Sequence, residues 1–594
     1  MSTRLLRAFV ALLGVFPLTA LCVATDANEP AIDFTWGVKL PMRDGVTLNA
    51  TIYKPHDMPS PQPAILSMTP YIADGLHDRG VYFARHGYVF AAVDTRGRGN
   101  SGAEFEPLVH DPQDGYDAVE WLATQSWCNG KVAMWGGSYG GFNQWATLKE
   151  LPPHLATIVP AAAAHPGVDF PCFNGFFTPY ALQWLTFTSG TTGNGRLYND
   201  DAFWDSRFKA LYDKHEPFNT LDAVVGNTST VFQTWLQHRT PDAYWNAAVP
   251  GPEQYAHIDI PILTITGHYD ADQMGALEYY RRHMRHGTPA ARAQHYLIIG
   301  PWDHAGTRTP KREFKSLKLG EASVVDLSAL HVAWYDWTLK GGPKPDFLKS
   351  RVAYYVPGPG AEQWKYADAL ESIANETRSL YLHSTGRADD VFASGSLTAA
   401  RPAGETADAY AYDPLDTHPL TPPDQESGTI ANPYTNETLA MSLSGRGLVY
   451  HTPALPEAFE ITGALKLTLW IALDVPDTDL WVGLYEILPD GSSIWLAADW
   501  KRARYRESLA KPKLVTPGQV ERYVFDTFNF FSRRVSAGSR LRLIVLSPNT
   551  PYVEKNYNAG GDLAAESGRD ARTAHVQVVH DADHPSSLEL PIVK

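Results

Sequence analysis

The chain has 594 residues, of which 44% are hydrophobic and 19% charged, and these proportions exclude a disordered or fibrous protein. The formal net charge of -15 argues against a protein that binds nucleic-acid phosphates or anionic membrane surfaces. The three cysteines cannot form a disulfide framework, and the sequence has no CxxC pair for a structural zinc site.

The amino terminus is predicted to be a cleaved export signal over residues 1–24. Two arginines precede an apolar run that is too short to span a bilayer, and Ala24 provides a small residue for cleavage. A lipidated Cys22 is the weaker alternative, because the bulky Leu21 precedes it. Since no other stretch is long and apolar enough to span a membrane, we expect an exported protein, periplasmic or secreted.

After this signal, strand-length apolar runs and helical patterns alternate, beginning with a β-hairpin around Asp44-Gly45. The predicted strands are Pro63–Met68, Tyr88–Asp94, Lys131–Gly136, Ala156–Ala162, Pro261–Gly267 and Gln294–Gly300. The predicted helices are His77–His86, Asp114–Gln125, Tyr139–Glu150, Ala276–His286 and Asp326–Lys340. This alternation predicts an α/β domain with a parallel sheet, formed by residues 25–164 and 251–345.

Two cysteines, Cys128 and Cys172, remain in the mature chain. The first precedes a predicted strand and the second follows a later one, so they are expected at opposite ends of the sheet, roughly 17 Å apart. A disulfide needs Cα atoms within about 7 Å of each other. We therefore predict two unpaired, buried thiols.

The alternation stops over residues 165–250, where we predict a mostly helical cap above the sheet. Between Phe170 and Trp245 there are 17 aromatic residues, nearly twice the density of the whole chain. The rings can form an ordinary core between cap helices or line a pocket, and the sequence does not separate these roles.

Residues 346–594 show short alternating runs separated by turn residues, a pattern typical of an antiparallel β-sandwich. The predicted strands are Ser379–Leu382, Leu448–His451, Phe459–Leu473, Leu480–Ile487, Ile494–Asp499, Gln519–Phe525, Arg540–Leu546 and Ala574–Val579.

A candidate nucleophile, Ser138, lies in Gly136-Gly137-Ser138-Tyr139-Gly140, between a predicted strand and a predicted helix. A serine on such a sharp turn needs small residues two positions before and after it, because strand and helix approach closely. The turn also directs the Tyr139 backbone N–H and the helix N-terminus toward a developing oxyanion.

A serine nucleophile needs a base and an orienting acid, which follow it in this architecture in the order acid, then base. Asp270 and His304 each come directly after a predicted strand, at the sheet edge that carries Ser138. The competing candidates are His165, His268 and His295 for the base, and Asp259 and Asp272 for the acid. Chain order and strand position favour Asp270 and His304.

Tyr71 ends another predicted strand, in the loop that supplies the second oxyanion donor of α/β-hydrolases, where its hydroxyl could donate; a packed aromatic is the alternative. Residues 97–102 satisfy GxGxxG, but no helix follows directly, so nucleotide binding is not supported. The sequence has no HExxH, EF-hand or GxxxxGK[ST] motif, so we predict neither a metal nor another cofactor.

Several motifs together resemble the cocaine esterase / Xaa-Pro dipeptidyl-peptidase (S15) family of α/β-hydrolases. They are Asp94-Thr95-Arg96-Gly97, Asp114-Gly115-Tyr116-Asp117, Glu120-Trp121-Leu122, Trp127 to Val132, the Ser138 turn, Gly300-Pro301-Trp302 and Val475 to Asp479. The resemblance implies a triad of Ser138, Asp270 and His304, with Tyr71 and the Tyr139 N–H as the oxyanion hole. It also implies a helical cap and a jelly-roll β-domain that closes over the active site.

Within this family, the exported α-amino acid ester hydrolases are the subgroup that the sequence resembles most. That subgroup holds the substrate's α-ammonium group with three carboxylates. The resemblance assigns Asp169 and Asp272 to two of these positions, whereas Gln273 stands where a third acid is expected.

The sequence therefore predicts an exported serine hydrolase that cleaves or transfers acyl groups of small-molecule esters or amides through an acyl-enzyme, with α-amino acyl esters preferred. The alternatives are a general carboxylesterase, an Xaa-Pro dipeptidyl-peptidase, or a carbohydrate- or surface-binding protein with an inactive hydrolase core. The physiological substrate and any homo-oligomeric state are left open.

Overall fold

The computed structural model describes residues 30–422, 434–435 and 438–594, so the predicted export signal lies outside the described residues. The first part of the chain contains fourteen strands. They are β1 (Ile32–Pro41), β2 (Thr47–Pro55), β3 (Gln62–Thr69), β4 (Val89–Asp94), β5 (Cys128–Ser138), β6 (Leu155–Ala163), β7 (Cys172–Phe173), β8 (Phe176–Phe177), β9 (Ile262–Tyr269), β10 (His295–Asp303), β11 (Glu313–Phe314), β12 (Leu317–Lys318), β13 (Val352–Val356) and β14 (Gln363–Ala367).

Ten of these strands form one sheet in the order β1-β2-β4-β3-β5-β6-β9-β10-β13-β14. The seven strands from β4 to β13 pair in parallel, and the antiparallel strands β1, β2 and β14 form the edges. The central strands are buried along nearly their whole length, which explains their continuous apolar sequences. The predicted α/β fold is confirmed.

Helices cover both faces of this sheet. They are α1 (His77–Arg85), α2 (Asp111–Ala123), α3 (Tyr139–Lys149), α11 (Gln273–His286), α12 (Pro289–Ala293) and α13 (Leu327–Lys340). One core contains residues of α2, α3 and α11, and the opposite core contains residues of α1 and α13. Because a hydrophobic core covers each face of the sheet, polar functional side chains are expected at the ends of its strands.

Between β6 and β9 the chain forms the β7–β8 hairpin and seven helices. They are α4 (Tyr180–Phe187), α5 (Gly195–Tyr198), α6 (Asp201–Lys214), α7 (Leu221–Val225), α8 (Thr230–Trp235), α9 (Ala243–Asn246) and α10 (Pro252–His257). Trp204, Trp235 and Trp245 are buried in the core of this cap, whereas Tyr180 and Trp184 line a cavity above the sheet. The aromatic residues of this segment therefore include both core and cavity rings.

The rest of the chain is a β-domain, with α14 (Thr438–Ser442) before β19. Its strands are β15 (Glu376–His383), β16 (Gly395–Thr398), β17 (Asp408–Tyr412), β18 (Tyr434–Thr435), β19 (Gly447–His451), β20 (Phe459–Gly463), β21 (Lys466–Leu473), β22 (Asp479–Ile487), β23 (Ser493–Arg502), β24 (Val520–Phe525), β25 (Phe531–Val535), β26 (Arg540–Leu546), β27 (Ala574–Val579) and β28 (Ser587–Val593). The predicted all-β second part is confirmed, although β16, β17, β18, β25 and β28 are additional to the predicted strands.

The boundary between the two parts differs from the expected position at 346. Strands β13 and β14 pair with the first sheet, β13 in parallel with β10 and β14 antiparallel to β13. These two strands are as short as many strands of the β-domain, so the sequence pattern alone predicts that they belong to that domain. Strand pairing places the change of sheet after Ala367.

The two parts share an aromatic core. Phe176, Tyr269 and Phe314 of the first part cluster with Trp495 and Trp500 of the β-domain. This core lies against the cap hairpin and the end of β9, so the β-domain closes one side of the region above the sheet.

Both cysteines of the described chain are free and buried, as predicted. Cys128 begins β5, and Cys172 begins the cap hairpin.

Candidate active site

Ser138 stands at the sharp turn between β5 and α3. Its φ of +61° and ψ of -125° are unfavourable for a residue with a side chain, and such strain is concentrated at functional sites. A Cβ atom at Gly136 would lie 3.0 Å from the Gly140 carbonyl oxygen, so the predicted need for glycine holds at 136. At Gly140 it does not hold, because a Cβ there would meet nothing closer than Met68 O at 3.7 Å.

His304 and Asp270 are hydrogen bonded at the carboxyl ends of β10 and β9. His304 Nδ1 lies 2.8 Å from Asp270 Oδ1, and because an ionised carboxylate only accepts, Nδ1 carries the proton and Nε2 is the basic nitrogen. Thr266 Oγ1 donates to Asp270 Oδ2 at 2.8 Å, and the Asp272 N–H donates to Asp270 Oδ1 at 3.1 Å. Asp272 Oδ2 lies farther from His304 Nδ1, at 3.8 Å, so the geometry favours Asp270 as the orienting acid.

The competing histidines occupy other positions. His268 is buried, and burial lowers its pKa to about 3. Burial also lowers the pKa of His165 to about 4. His295 lies inside the sheet, where its Nε2 is 2.8 Å from Thr264 Oγ1. None of these three lines the cavities that contain the Ser138 side chain.

Ser138 and His304 together line two adjoining cavities of about 260 and 300 Å³. Tyr71, Tyr180 and Trp184 line both cavities as well, so the cap contributes to each. A serine, a histidine oriented by a buried carboxylate and a shared aromatic cavity form an arrangement suited to acyl transfer.

Tyr71 lies beside the serine with its hydroxyl already oriented. Trp184 Nε1 donates to Tyr71 Oη at 2.9 Å, which occupies an acceptor position and leaves the phenolic proton free to donate. Burial raises the pKa of Tyr71 well above its usual value and outweighs the hydrogen bond from Trp184, so the phenol stays protonated at neutral pH. Trp184 was not singled out from the sequence, because it lies 113 positions from Tyr71 along the chain.

The Tyr139 side chain has a structural role, so the candidate oxyanion donor at this residue is its backbone N–H. Its hydroxyl donates to Asp111 Oδ2 at 2.7 Å and accepts from the Leu108 N–H at 3.0 Å. Asn143 Nδ2 donates to the other oxygen of Asp111 at 2.8 Å. Burial raises the pKa of Asp111 to about 6. This network fixes the first turn of α3 directly after the nucleophile.

Asp169 and Asp272 line a third cavity, of about 170 Å³, between the cap and the β-domain. Asp272 also lines the smaller of the cavities that contain Ser138, so these two spaces adjoin. Burial raises the pKa of both carboxyls, and charge repulsion raises them further, from Asp270 on Asp169 and from Asp169 and Asp270 on Asp272. Two half-buried acids in one cavity wall favour a cationic ligand.

Asp169 also has a structural role. Its Oδ1 accepts from the His165 N–H at 2.8 Å, and its Oδ2 accepts from the Gly275 N–H, in the first turn of α11, at 2.5 Å. Among the residues that the structure describes, the cation nearest to the Asp272 carboxylate is His304. Asp272 is therefore the freer of the two acids.

Gln273 differs from its expected role. Its Nε2 donates to the carbonyl oxygens of Gly267 and Phe530, each at 2.8 Å, and its Oε1 accepts from the Phe530 N–H at 2.7 Å. Both amide donors are thus occupied, and the side chain is buried. Gln273 joins the loop after β9 to the β-domain, a contact between distant segments that the sequence does not show.

The electrostatics at His304 combine opposing effects. Burial lowers its pKa, but the Asp272 carboxylate and the hydrogen bond to Asp270 outweigh burial, so the pKa is raised above its usual value. The Arg308 guanidinium acts in the opposite direction to the acids. The pKa of His304 therefore depends on the carboxylates of Asp270 and Asp272 and on the guanidinium of Arg308.

Two sequence profiles of one family match the chain. Residues 44–306 match the X-Pro dipeptidyl-peptidase (S15 family), and residues 347–589 match the C-terminal non-catalytic domain of X-Pro dipeptidyl-peptidase. In the described part of the chain, no helix is long and apolar enough to cross a membrane.

Individual relatives extend over nearly the whole chain. A cocaine esterase from a Rhodococcus species is 27% identical over 585 residues, which cover 94% of this chain and 98% of that protein. A putative serine esterase of Mycobacterium bovis is 22% identical and covers 93% of this chain and 94% of its own length.

Two solved structures share the fold. An α-amino acid ester hydrolase has a TM-score of 0.81 and 22% identity, covering 97% of this chain and 100% of its own. An aminopeptidase from a marine-sediment Thaumarchaeota archaeon has a TM-score of 0.81 and 22% identity, covering 100% of this chain and 99% of its own. The profiles and the fold agree with the resemblance predicted from the motifs: the chain belongs to the S15 family of α/β-hydrolases.

Proposed function

We propose that this protein is an exported serine esterase that transfers an acyl group from an ester or amide to Ser138 and then to water or an amine. The single observation that carries the proposal is the His304–Asp270 hydrogen bond of 2.8 Å beside a strained serine that shares two cavities with the histidine. The esterase names of relatives that match nearly the full chain support the same reaction. Export rests on the amino-terminal sequence pattern.

In this mechanism His304 Nε2 takes the Ser138 proton as the hydroxyl attacks the carbonyl carbon. Asp270 holds the ring and stabilises the imidazolium that forms. The Tyr71 hydroxyl and the Tyr139 N–H stabilise the oxyanion. His304 then gives the proton to the leaving group, and a water molecule activated by the same base releases the acyl group.

We further propose that the acyl group carries a free α-amine. The observation that favours it is the pair of half-buried carboxylates, Asp169 and Asp272, in the cavity wall next to the serine. An ammonium group placed between them would favour the ionised form of both carboxyls, against the burial and the neighbouring negative charges that raise their pKa values. Gln273 takes no part in this recognition, because its amide binds backbone groups.

One experiment tests the reaction and the specificity together. kcat/KM is measured for phenylalanine methyl ester and for 3-phenylpropanoate methyl ester, which lacks the amine. A charge-assisted hydrogen bond predicts a preference of roughly 10- to 150-fold for the amino ester. Asp272→Asn should lose much of that preference, whereas Asp201→Asn, which changes an exposed acid at the edge of the same cavity, should keep it.

Ser138→Ala serves as the reaction control. Removing a triad nucleophile costs on the order of a millionfold in rate, and phenylmethylsulfonyl fluoride should label Ser138 in the wild type. More than a tenth of wild-type activity in Ser138→Ala would reject the mechanism. Equal wild-type rates on both esters would leave a general carboxylesterase, and release of Xaa-Pro dipeptides without ester preference would favour the dipeptidyl-peptidase alternative.

A further inference from the structure

The larger active-site cavity contains a cation that the catalytic mechanism does not use. Arg308 lies four residues after His304, and its side chain lines the cavity of about 300 Å³ together with Ser138 and His304. It packs against the nucleophile turn so closely that a Cβ atom at Gly137 would overlap its guanidinium. Glycine at 137 thus makes room for a positive charge directly beside the serine.

This guanidinium has no anionic partner. Among the described residues, no carboxylate lies within ion-pair distance of Arg308, and its Nη1 is buried without a hydrogen-bond acceptor. Two buried arginines of the described chain are ion-paired, Arg96 with Asp114 at 2.6 Å and Arg502 with Asp479 at 2.7 Å, and the buried Arg98 donates to backbone carbonyl oxygens. A guanidinium that lines a cavity without a carboxylate partner favours a ligand that supplies the anion.

The charges of the site are therefore separated. The lining of the cavity that contains Arg308 includes no aspartate or glutamate, whereas Asp272 lines the other cavity that contains Ser138. Arg79 lies near the Arg308 side of the sheet, where burial and the like charge of Arg308 lower its pKa. One side of the serine is thus acidic and the other is basic.

We propose that Arg308 binds a carboxylate on the leaving group, so that the substrate is a small zwitterion with an α-ammonium group on its acyl part and a carboxylate on its leaving part. The inference rests on the proposed function and specifies its substrate class. We place Arg308 on the leaving-group side because the cavity that it lines also contains His304, which protonates the leaving heteroatom, and contains no acid, whereas Asp272 lines the other cavity. A planar guanidinium matches a carboxylate with two parallel hydrogen bonds.

The test compares two esters of phenylalanine that differ only in the leaving group: the ester of glycolic acid, which carries a carboxylate, and the ester of glycolamide, which does not. The readout is the ratio of their kcat/KM values, measured within each variant, because a ratio cancels a general loss of activity. The wild-type ratio should exceed that of Arg308→Gln by roughly tenfold to a hundredfold. Arg308→Lys keeps the charge but loses the planar fork, so its ratio should be intermediate.

Arg312→Gln is the matched control. It removes a guanidinium from the same segment, but Arg312 is 57% exposed and pairs with Glu321, so the wild-type ratio should be retained. Equal ratios in wild type and Arg308→Gln would overturn the inference while leaving the esterase proposal intact. Failure of the wild type to cleave either ester would instead reject the proposed function.

A second measurement does not depend on turnover. In a Ser138→Ala background, glycolate should bind more tightly than glycolamide by calorimetry, and the additional Arg308→Gln change should abolish the difference. Equal affinities for the two ligands in Ser138→Ala would also contradict the carboxylate site.

Discussion

The oxyanion hole gives the most sharply defined test of the site. Replacing Tyr71 by phenylalanine keeps the ring, which stacks on Phe187 with a centroid distance of 5.4 Å, and removes only the hydroxyl. If that hydroxyl stabilises the oxyanion, its loss should raise the barrier by roughly 3 to 4 kcal/mol and lower kcat by about 10² to 10³. KM should change much less, because the charge develops after binding.

The structure also predicts a separate effect of Tyr71→Phe on stability. The Trp184 N–H, which donates to the phenol at 2.9 Å, loses its acceptor inside the cap. An unsatisfied buried donor costs about 1 to 3 kcal/mol of folding free energy, so the melting temperature should fall as well. The two effects are separable, because kcat is measured per folded enzyme.

The assay measures kcat and KM on one methyl ester, with a thermal melt for each variant. Tyr180→Phe is the matched control, because it removes a tyrosine hydroxyl from the same cavity. The Tyr180 hydroxyl is hydrogen bonded to the Tyr198 hydroxyl at 2.8 Å, and in the described chain no contact joins it to the turn that carries Ser138. Its kcat should stay within a few fold of wild type. If Tyr71→Phe behaves like Tyr180→Phe, Tyr71 is a packing residue and the oxyanion hole lacks this donor.

Two further predictions follow from the surroundings of the base and from the domain contact. Asp272 raises the pKa of His304, so Asp272→Asn should lower that pKa and move the acid limb of the pH profile of kcat/KM to lower pH. Arg308 lowers the same pKa, so Arg308→Gln should move the acid limb to higher pH. Shifts of the two variants in the same direction would contradict these charge effects. Truncation after Ala369 keeps β13 and β14 but exposes the aromatic core shared by the two parts, so the fragment should be insoluble or inactive in centrifugation and ester assays. A soluble fragment with full activity would show that the β-domain is dispensable.

Features encoded locally were the ones that the sequence predicted. The Ser138 turn follows from five consecutive residues, and the positions of Asp270 and His304 follow from strand ends, because parallel strands end at one edge of the sheet. The sequence predicted that the β-domain begins at residue 346, whereas β13 and β14 pair with the first sheet, since a short alternating run does not specify its pairing partner.

Contacts between distant segments were out of reach. The hydrogen bond from Trp184 to Tyr71 joins the cap to a loop of the sheet, and an aromatic-rich segment gives no indication of which ring will face the serine. The sequence also could not predict that Arg308 lacks an ion pair among the described residues, because a sequence shows which charged residues exist but not which of them lie close together.

Gln273 connects substrate recognition to the β-domain. It is the residue directly after Asp272, and its amide holds the backbone of Phe530 through two hydrogen bonds, with distances of 2.7 and 2.8 Å. Asp272 is bonded directly to Gln273, the first residue of α11, so the position of the Asp272 carboxylate beside His304 depends on the contact between Gln273 and Phe530. The β-domain thus takes part in setting the charge next to the base, although every catalytic group of the proposed mechanism lies in the first part of the chain. In this arrangement an acid at 273 would lack the donors that bind the two carbonyl oxygens, so an ionised carboxylate could not make the contact that the Gln273 amide makes.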